Sequence, residues 1–202
     1  MPKSTKSNTS GKKITVVNSK QKRQQRRKAN PMFVGEKCSV KRRELWKTID
    51  ITADTNAIDQ AAFKSGNFPP WFDKISSCYE HYSIKSLKLI LSSPYGKMVS
   101  GSAVLSYNTV YGDAFTPDRG KLLSQQGARE FKVADFEVIG TLPKSALSAT
   151  PSKKTCRAGG SGTNSLDTSY AFDARYFINA SQTGKLYLYV EYDVDFYTPQ
   201  LN

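Results

Sequence analysis

The sequence predicts an all-β body behind a disordered basic arm, and three observations carry that prediction. The formal net charge of +13 is confined to the first 47 residues, which hold 15 Lys/Arg against two acids, Glu36 and Glu44; the rest of the chain balances 15 basic with 15 acidic side chains. The body is rich in Tyr, Phe, Val, Ser and Thr, a composition that fits pleated, half-buried strands. From Lys185 to Tyr197 the alternation is unbroken. Leu186, Leu188, Val190, Tyr192, Val194 and Phe196 share one face, and Lys185, Tyr187, Tyr189, Glu191, Asp193, Asp195 and Tyr197 share the other. A strand this long with one apolar face belongs in a large antiparallel sheet packed on a second sheet.

Residues 1–30 hold ten Lys/Arg and no acid, with Ile14-Thr15-Val16-Val17 as the only apolar island. Such a segment cannot bury enough surface to offset its ordering entropy, so it reads as disordered when free. Asn30-Pro31 marks a break, and Met32-Phe33-Val34 reads as the first contact between arm and body. The domain boundary is placed between residues 40 and 41, with 1–40 as arm and 41–202 as folded domain. Leu45 to Ile51 alternates, with Leu45, Ile49 and Ile51 assigned to one face. Residues 53–68 read as a polar loop. After Pro69-Pro70, the residues Trp71, Ile75, Cys78 and Tyr79 fall at helical spacing, which predicts a short amphipathic helix. Ser83 to Leu91 is a strand with Leu87, Leu89 and Leu91 on one face. Ser102 to Asn108 is another, with Ala103, Leu105 and Tyr107 together. Pro117 to Gln126 reads as a second short helix, with Leu122 and Leu123 inside and Gly127 after it. Arg129 to Val138 alternates loosely. Pro143 to Lys154 reads as loop around a short strand at Ala146-Leu147. Thr168 to Asn179 is a strand with Tyr170, Phe172, Ala174, Tyr176 and Ile178 on one side. Many strands of this size, long loops and two short helices in connections predict an eight-stranded antiparallel jelly-roll sandwich. An immunoglobulin-type sandwich is the alternative, though it is usually smaller and lacks such helices.

The residues argue against several chemistries. His81 is the single histidine, read as a surface or structural residue just before a strand, and no Gly-x-Ser-x-Gly elbow is present. Cys38, Cys78 and Cys156 lack C-x-x-C spacing, which disfavours zinc and a disulfide framework and fits a reducing compartment. The stretch from Arg157 to Thr163 has the glycines of a phosphate cradle but no Gly-Lys-Ser/Thr. No run approaches 18 apolar residues, so membrane insertion is not expected. No enzyme signature is found. Glu191, Asp193 and Asp195 form a negative row on one strand face, for which solvent is the default neighbour, with a partner subunit or the arm as alternatives. The arm's Lys3, Lys6, Lys12, Lys13, Lys20, Lys22, Arg23, Arg26, Arg27 and Lys28, joined by Lys41, Arg42 and Arg43 at the start of the body, read as RNA phosphate ligands without sequence preference. Lys20 to Lys28 also has the composition of a nuclear-import signal.

A Lys/Arg/Gln arm before one jelly roll resembles the coat proteins of small icosahedral plant RNA viruses. The tombusvirus, sobemovirus and luteovirus groups, in forms without a protruding domain, are the nearest pattern. Two internal runs are similar to segments of that family. The run Cys78-Tyr79-Glu80-His81-Tyr82-Ser83-Ile84 resembles the family's Y-x-x-Y-x-I entry into strand C. Ser100-Gly101 through Tyr107 resembles the entry into strand D. Gly184 to Phe196 resembles the closing strand. The resemblance implies a homo-oligomeric icosahedral shell, of T=3 form, around single-stranded genomic RNA. Localisation would then be the virion and host cytoplasm, with the host nucleus reached if the import signal operates. It also implies calcium at subunit contacts in some members, bound by carboxylates after strand D. Asp113 and Asp118 fall in that loop, and Asn108 stands where an acid is expected. From the residues themselves, two carboxylates supply too few of the six to eight oxygens calcium takes, so Asp113 as a turn residue and Asp118 at a helix N-terminus are the plainer assignments. The arm lacks the repeated prolines that interlock arms in some members. The expectation is a non-enzymatic coat protein. Its rivals are a non-capsid RNA-binding regulator, such as a movement protein or silencing suppressor, and the coat protein of a single-stranded DNA virus.

Overall fold

A computed structural model of the chain describes residues 32–34, 37–94, 99–135, 137–147, 153–157 and 168–200. The expected arm lies outside these as far as residue 31, as do the glycines at 159, 160 and 162. In chain order the elements are β1 (Met32–Val34), β2 (Lys37–Ile51), β3 (Ala57–Phe63), α1 (Pro70–Ser76), β4 (Tyr79–Ser92), β5 (Gly101–Asn108) and α2 (Arg119–Leu123). They continue with β6 (Arg129–Lys132), β7 (Glu137–Thr141), α3 (Lys144–Leu147), β8 (Lys154–Thr155), β9 (Phe172–Ala180) and β10 (Gly184–Pro199). One sheet has the order β1-β2-β10-β4-β7, with β8 also paired to β4, and the other has the order β3-β9-β5-β6. All pairings are antiparallel. With β1 and β8 set aside, the eight remaining strands lettered B to I give the sheets B-I-D-G and C-H-E-F, which is the jelly-roll order.

The strand β10 is the hub. It pairs with β2 from Gly184↔Ile51 to Tyr197↔Lys37 and with β4 from Tyr187↔Ser92 to Pro199↔Tyr79. Its apolar face, Leu186 through Phe196, is at most 1% exposed. Facing it across the sandwich are Ala103, Leu105 and Tyr107 of β5 and Phe172, Ala174, Tyr176 and Ile178 of β9. At one end α1 inserts Phe72 into a ring cluster, with centroids 4.6 Å from Phe68, 5.0 Å from Phe63, 5.1 Å from Phe196, 5.3 Å from Tyr192 and 5.4 Å from Tyr82. Edge-to-face rings at such distances add to the burial of their area. The residue before α1 is Pro69, whose side chain cannot cap it. Glu44 of β2 does so from a distance, accepting the Trp71 amide at 2.7 Å and the Phe72 amide at 3.1 Å, while the Tyr192 hydroxyl donates to the same carboxylate. These are two of the amides a helix start leaves without internal partners.

Several expectations need correction. The boundary at 40/41 falls inside β2, whose Cys38 and Val40 are core residues. Residues 57–63 are not loop but β3, an edge strand paired with β9 from Ala57↔Ile178 to Phe63↔Phe172. Its presence shifts the lettering, so the runs likened to strands C and D are D (β4) and E (β5). Leu45 does not share a face with Ile49 and Ile51. Lys47 opposes Leu188 while Leu45 opposes Tyr189, so Trp46 is an inserted residue and the bulge reverses the phase. Leu45 is left 40% exposed and Trp46 packs on the core. Ala146-Leu147 lies in helix α3, not a strand. The segment from 129 to 138 divides into β6 and the start of β7, and His81 lies within β4 rather than before it. Cys38, Cys78 and Cys156 are all free thiols.

Gly101 and Gly127 hold positions no other residue fits easily. Gly101 opens β5 at φ +149, where a Cβ would meet the Asn179 carbonyl of β9. Gly127 has φ +69 between α2 and β6, with the Tyr107 ring against it.

Candidate functional site

The outward face of the B-I-D-G sheet carries alternating charge because period 2 places every second residue of β2, β10 and β4 there. The acidic row of β10 is met by cations of its own neighbours rather than by solvent. Lys88 lies 3.2 Å from Glu191, Lys85 lies 3.8 Å from Asp193 and 2.5 Å from Asp195, and Lys37 lies 2.7 Å from Asp195. A second bulge makes this fit. Ser86 opposes Asp193 and Ile84 opposes Val194, so Lys85 is the inserted residue. Asp195 is 3% exposed. Burial acts to raise its pKa, but hydrogen bonds from Lys37, Lys85 and Ser39 outweigh it and hold the carboxyl at about 2. Because the folded value is depressed, the stabilisation is present above the unfolded value of about 4 and is lost as pH falls through about 2. Asp195→Asn is expected to cost on the order of 2 kcal/mol at neutral pH, and much less at pH 2. Urea unfolding of the subunit at the two pH values measures this; an equal loss at both would refute it.

The basic run at the start of the body is divided by the strand. Arg43 faces outward, 2.7 Å from Glu137 and over the Tyr189 ring at 4.7 Å. Arg42 points the other way and lies over the Trp71 ring at 4.4 Å. Lys41 is exposed and makes no ion pair among the described residues. Lys41 and Arg43 oppose Asp193 and Glu191 on the outward face while Arg42 lies on the other, so the structure does not gather all three as one patch. The expected ligands from Lys3 to Lys28 lie outside the described residues.

The second cluster lies over the outward face of the C-H-E-F sheet, in the loop between β5 and α2. Its centre is Arg175 of β9, which is 1% exposed. The guanidinium donates to the Asp113 carboxylate at 3.2 Å and to the Asp113 carbonyl at 3.0 Å, lies 3.7 Å from Asp173, and sits over Phe115. Asn108 also donates to Asp113, at 2.7 Å, and accepts from the Val110 amide at 3.0 Å. The Tyr170 hydroxyl donates to the Asn108 carbonyl at 3.0 Å. Desolvation raises the pKa of Asp173 despite the nearby Arg175. Asp118 is elsewhere engaged, capping α2 by accepting from the Lys121 amide at 2.8 Å. The two carboxylates expected to share calcium therefore serve separate structural purposes. Asp113 is already matched by a fixed cation, and no group of three His, Cys, Asp or Glu suited to a metal occurs among the described residues. Within one chain this donor set does not fit calcium.

Arg175 is the residue that sequence reasoning missed. Only one side of the strand from 168 to 179 was assigned to a core, whereas β9 is buried on both faces. Val104, Leu122 and Phe177 form a second cluster outside the sheet, with Ile58 and Phe115 against it. The available signal was Asp173-x-Arg175 inside an otherwise apolar strand. His81, 39% exposed at its side chain, lies 3.9 Å from Glu80, its one ion-pair partner among the described residues. Among the described residues, no helix is long and apolar enough to cross a membrane.

No protein-family model matches the sequence, and no curated protein matches it. Solved structures do match by shape. The chain is similar to that of mud crab tombus-like virus, with TM-score 0.65 and 17% identity over 88% of this chain and 96% of that one. It is similar to tobacco necrosis virus, with TM-score 0.64 and 13% identity over 82% and 97%. The likeness to cucumber leaf spot virus has TM-score 0.71 and 15% identity over 85% of this chain, which spans 54% of that one. At these identities the likenesses establish the jelly-roll fold.

Proposed function

We infer that this chain is a viral coat protein that assembles into an icosahedral shell and packages single-stranded RNA through its basic N-terminal arm. One observation carries the reading: a body with jelly-roll order and a net charge of only +3 is joined to residues 1–30, which hold the other +10. Copies that pack side by side gain from uncharged walls, because like-charged walls repel. The excess charge is placed where phosphate can meet it. On about 180 copies of a T=3 shell the arms would supply roughly 1,800 positive charges, enough to offset a large part of a genome of a few kilobases. The outward face of the B-I-D-G sheet is internally paired, which favours the arm over the sheet as the phosphate ligand. Because Asp113 and Asp118 are engaged within the chain, calcium has no part in this proposal. The shape likeness to several virus structures supports the shell; the RNA role rests on charge. A regulator has no need of a near-neutral self-packing body; the coat protein of a single-stranded DNA virus would share both arm and jelly roll, and the test distinguishes it.

The test is sedimentation and electron microscopy of the full expressed chain. Uniform particles holding ribonuclease-sensitive, deoxyribonuclease-resistant nucleic acid are expected. A persistent monomer at high concentration would overturn the shell, and DNA in the particles would overturn the choice of genome.

A further inference from the structure

The acids of β10 occupy the middle of the outward B-I-D-G face, and tyrosines occupy its two ends. Tyr187 and Tyr189 lie at one end and Tyr197 at the other, all half-buried, so ring surface is left uncovered. Cations sit on two of these rings. Arg43 lies over Tyr189 at 4.7 Å, and Tyr197 is met by Lys153 at 4.3 Å and Lys37 at 5.6 Å. Lys153 is exposed and makes no ion pair among the described residues. Between the two ends Glu191, Asp193 and Asp195 are matched by Lys88, Lys85 and Lys37, so the row sets no net negative charge against a phosphate chain crossing it. Rings beside cations, on a face with little spare charge, suit bases better than phosphates. Every base has a π-face, and stacking on an aromatic side chain reads no sequence.

We propose that Tyr197 and Tyr189 are stacking platforms for the bases of single-stranded RNA, with Lys153 beside Tyr197 for the attached phosphate. This rests on the RNA-packaging reading, which supplies the strand. The occupant follows from where the arm is rooted. Residues 1–31 precede β1, and β1 pairs with β2 at Met32↔Ser39 and Val34↔Lys37. Lys37 is the residue that lies over Tyr197, and Ser39 donates to Asp195 at 2.6 Å. A strand drawn to the ten Lys/Arg of residues 1–30 is therefore brought to this end of the sheet. The arm has no ring on which to stack a base, because no aromatic residue precedes Phe33. The work is then divided. Residues 1–30 supply most of the affinity through phosphate, and the sheet adds a smaller contribution that needs bases and resists salt.

The test compares two oligomers of equal length and phosphate number, an oligoadenylate and an abasic one, binding to the full chain at high salt, where phosphate contacts are weakened. The unmodified chain should hold the oligoadenylate about tenfold more tightly. Tyr197→Leu keeps an apolar side chain without a ring and should cut that ratio to about threefold; adding Tyr189→Leu should bring it close to one. Tyr197→Phe should preserve the ratio. Lys153→Glu changes an exposed side chain, so it probes the site even if Tyr197→Leu weakens the fold; it should lower the ratio about threefold with an unchanged thermal midpoint. Equal binding of both oligomers by the unmodified chain would overturn base stacking. A ratio unchanged in these variants would overturn the choice of rings, and lost particles beside that unchanged ratio would assign the rings to a contact between copies instead. A full chain that binds neither oligomer, even at low salt, would count against the RNA reading itself.

Discussion

Removal of residues 1–30 is expected to leave a folded body that no longer retains RNA. The deletion takes ten Lys/Arg and no acid, so the net charge falls from +13 to +3. With about ten cations on single-stranded phosphate, the log–log dependence of RNA affinity on salt should have a slope near −7; after deletion it should fall to roughly −2. Filter binding across a salt series gives both slopes, and absorbance ratios of purified particles give the RNA content. Shells that form without the arm should be empty, and smaller shells are an allowed outcome. Salt-independent binding by the full chain would refute phosphate neutralisation. Unfolding of the truncated body would refute the division into arm and domain, since its first described strand begins at Met32.

The second large effect lies in the body. Phe72→Ala is expected to destabilise the dissociated subunit by about 4 kcal/mol, through lost transfer energy and the cavity left among five rings. For a domain of this size that corresponds to a fall of roughly 10 °C in thermal midpoint. Phe72→Leu, which keeps most of the volume, should cost about half as much. The same helix should respond to Glu44→Gln, which keeps an acceptor but removes the charge facing the Trp71 and Phe72 amides. Differential scanning calorimetry separates these cases. A loss below 1 kcal/mol for Phe72→Ala would mean that α1 is not part of the cooperative core.

These residues also show where reading from sequence succeeds and where it stops. The strand β10 and the trio Leu87, Leu89 and Leu91 were legible because each has one face in the core and the other outside, so burial repeats every second residue. Helix α1 was legible because Pro70 sits in its first turn and Trp71 and Ile75 recur at helical spacing. The edge strand β3 was not, because Ala57, Asp59, Gln60, Ala61 and Ala62 are only partly covered and carry little contrast. Leu45 was misassigned because a bulge reverses phase, and a bulge is set by the partner strand rather than by the bulged sequence. The arm was legible as a concentration of charge, because charge density needs no fold. The Arg175 cluster was not, since it joins residues from β9 and the 109–118 loop, which are far apart in the chain. Lys41, Arg42 and Arg43 form one run in sequence but divide between two faces of β2.

The central place of β10 has a consequence for the timing of synthesis. The strand that joins β2 to β4 follows both of them in the chain, with about 130 residues between β2 and its partner. Until β10 has left the ribosome, the two strands that flank it have no shared neighbour, and the B-I-D-G sheet cannot close. Pairings of such long sequence separation are slow to form. On the coat-protein reading, a nascent chain would therefore offer its basic residues 1–30 to RNA well before it owns a wall that another copy could pack against. On that reading, order of synthesis alone would separate nucleic-acid capture from self-association, without a dedicated regulator.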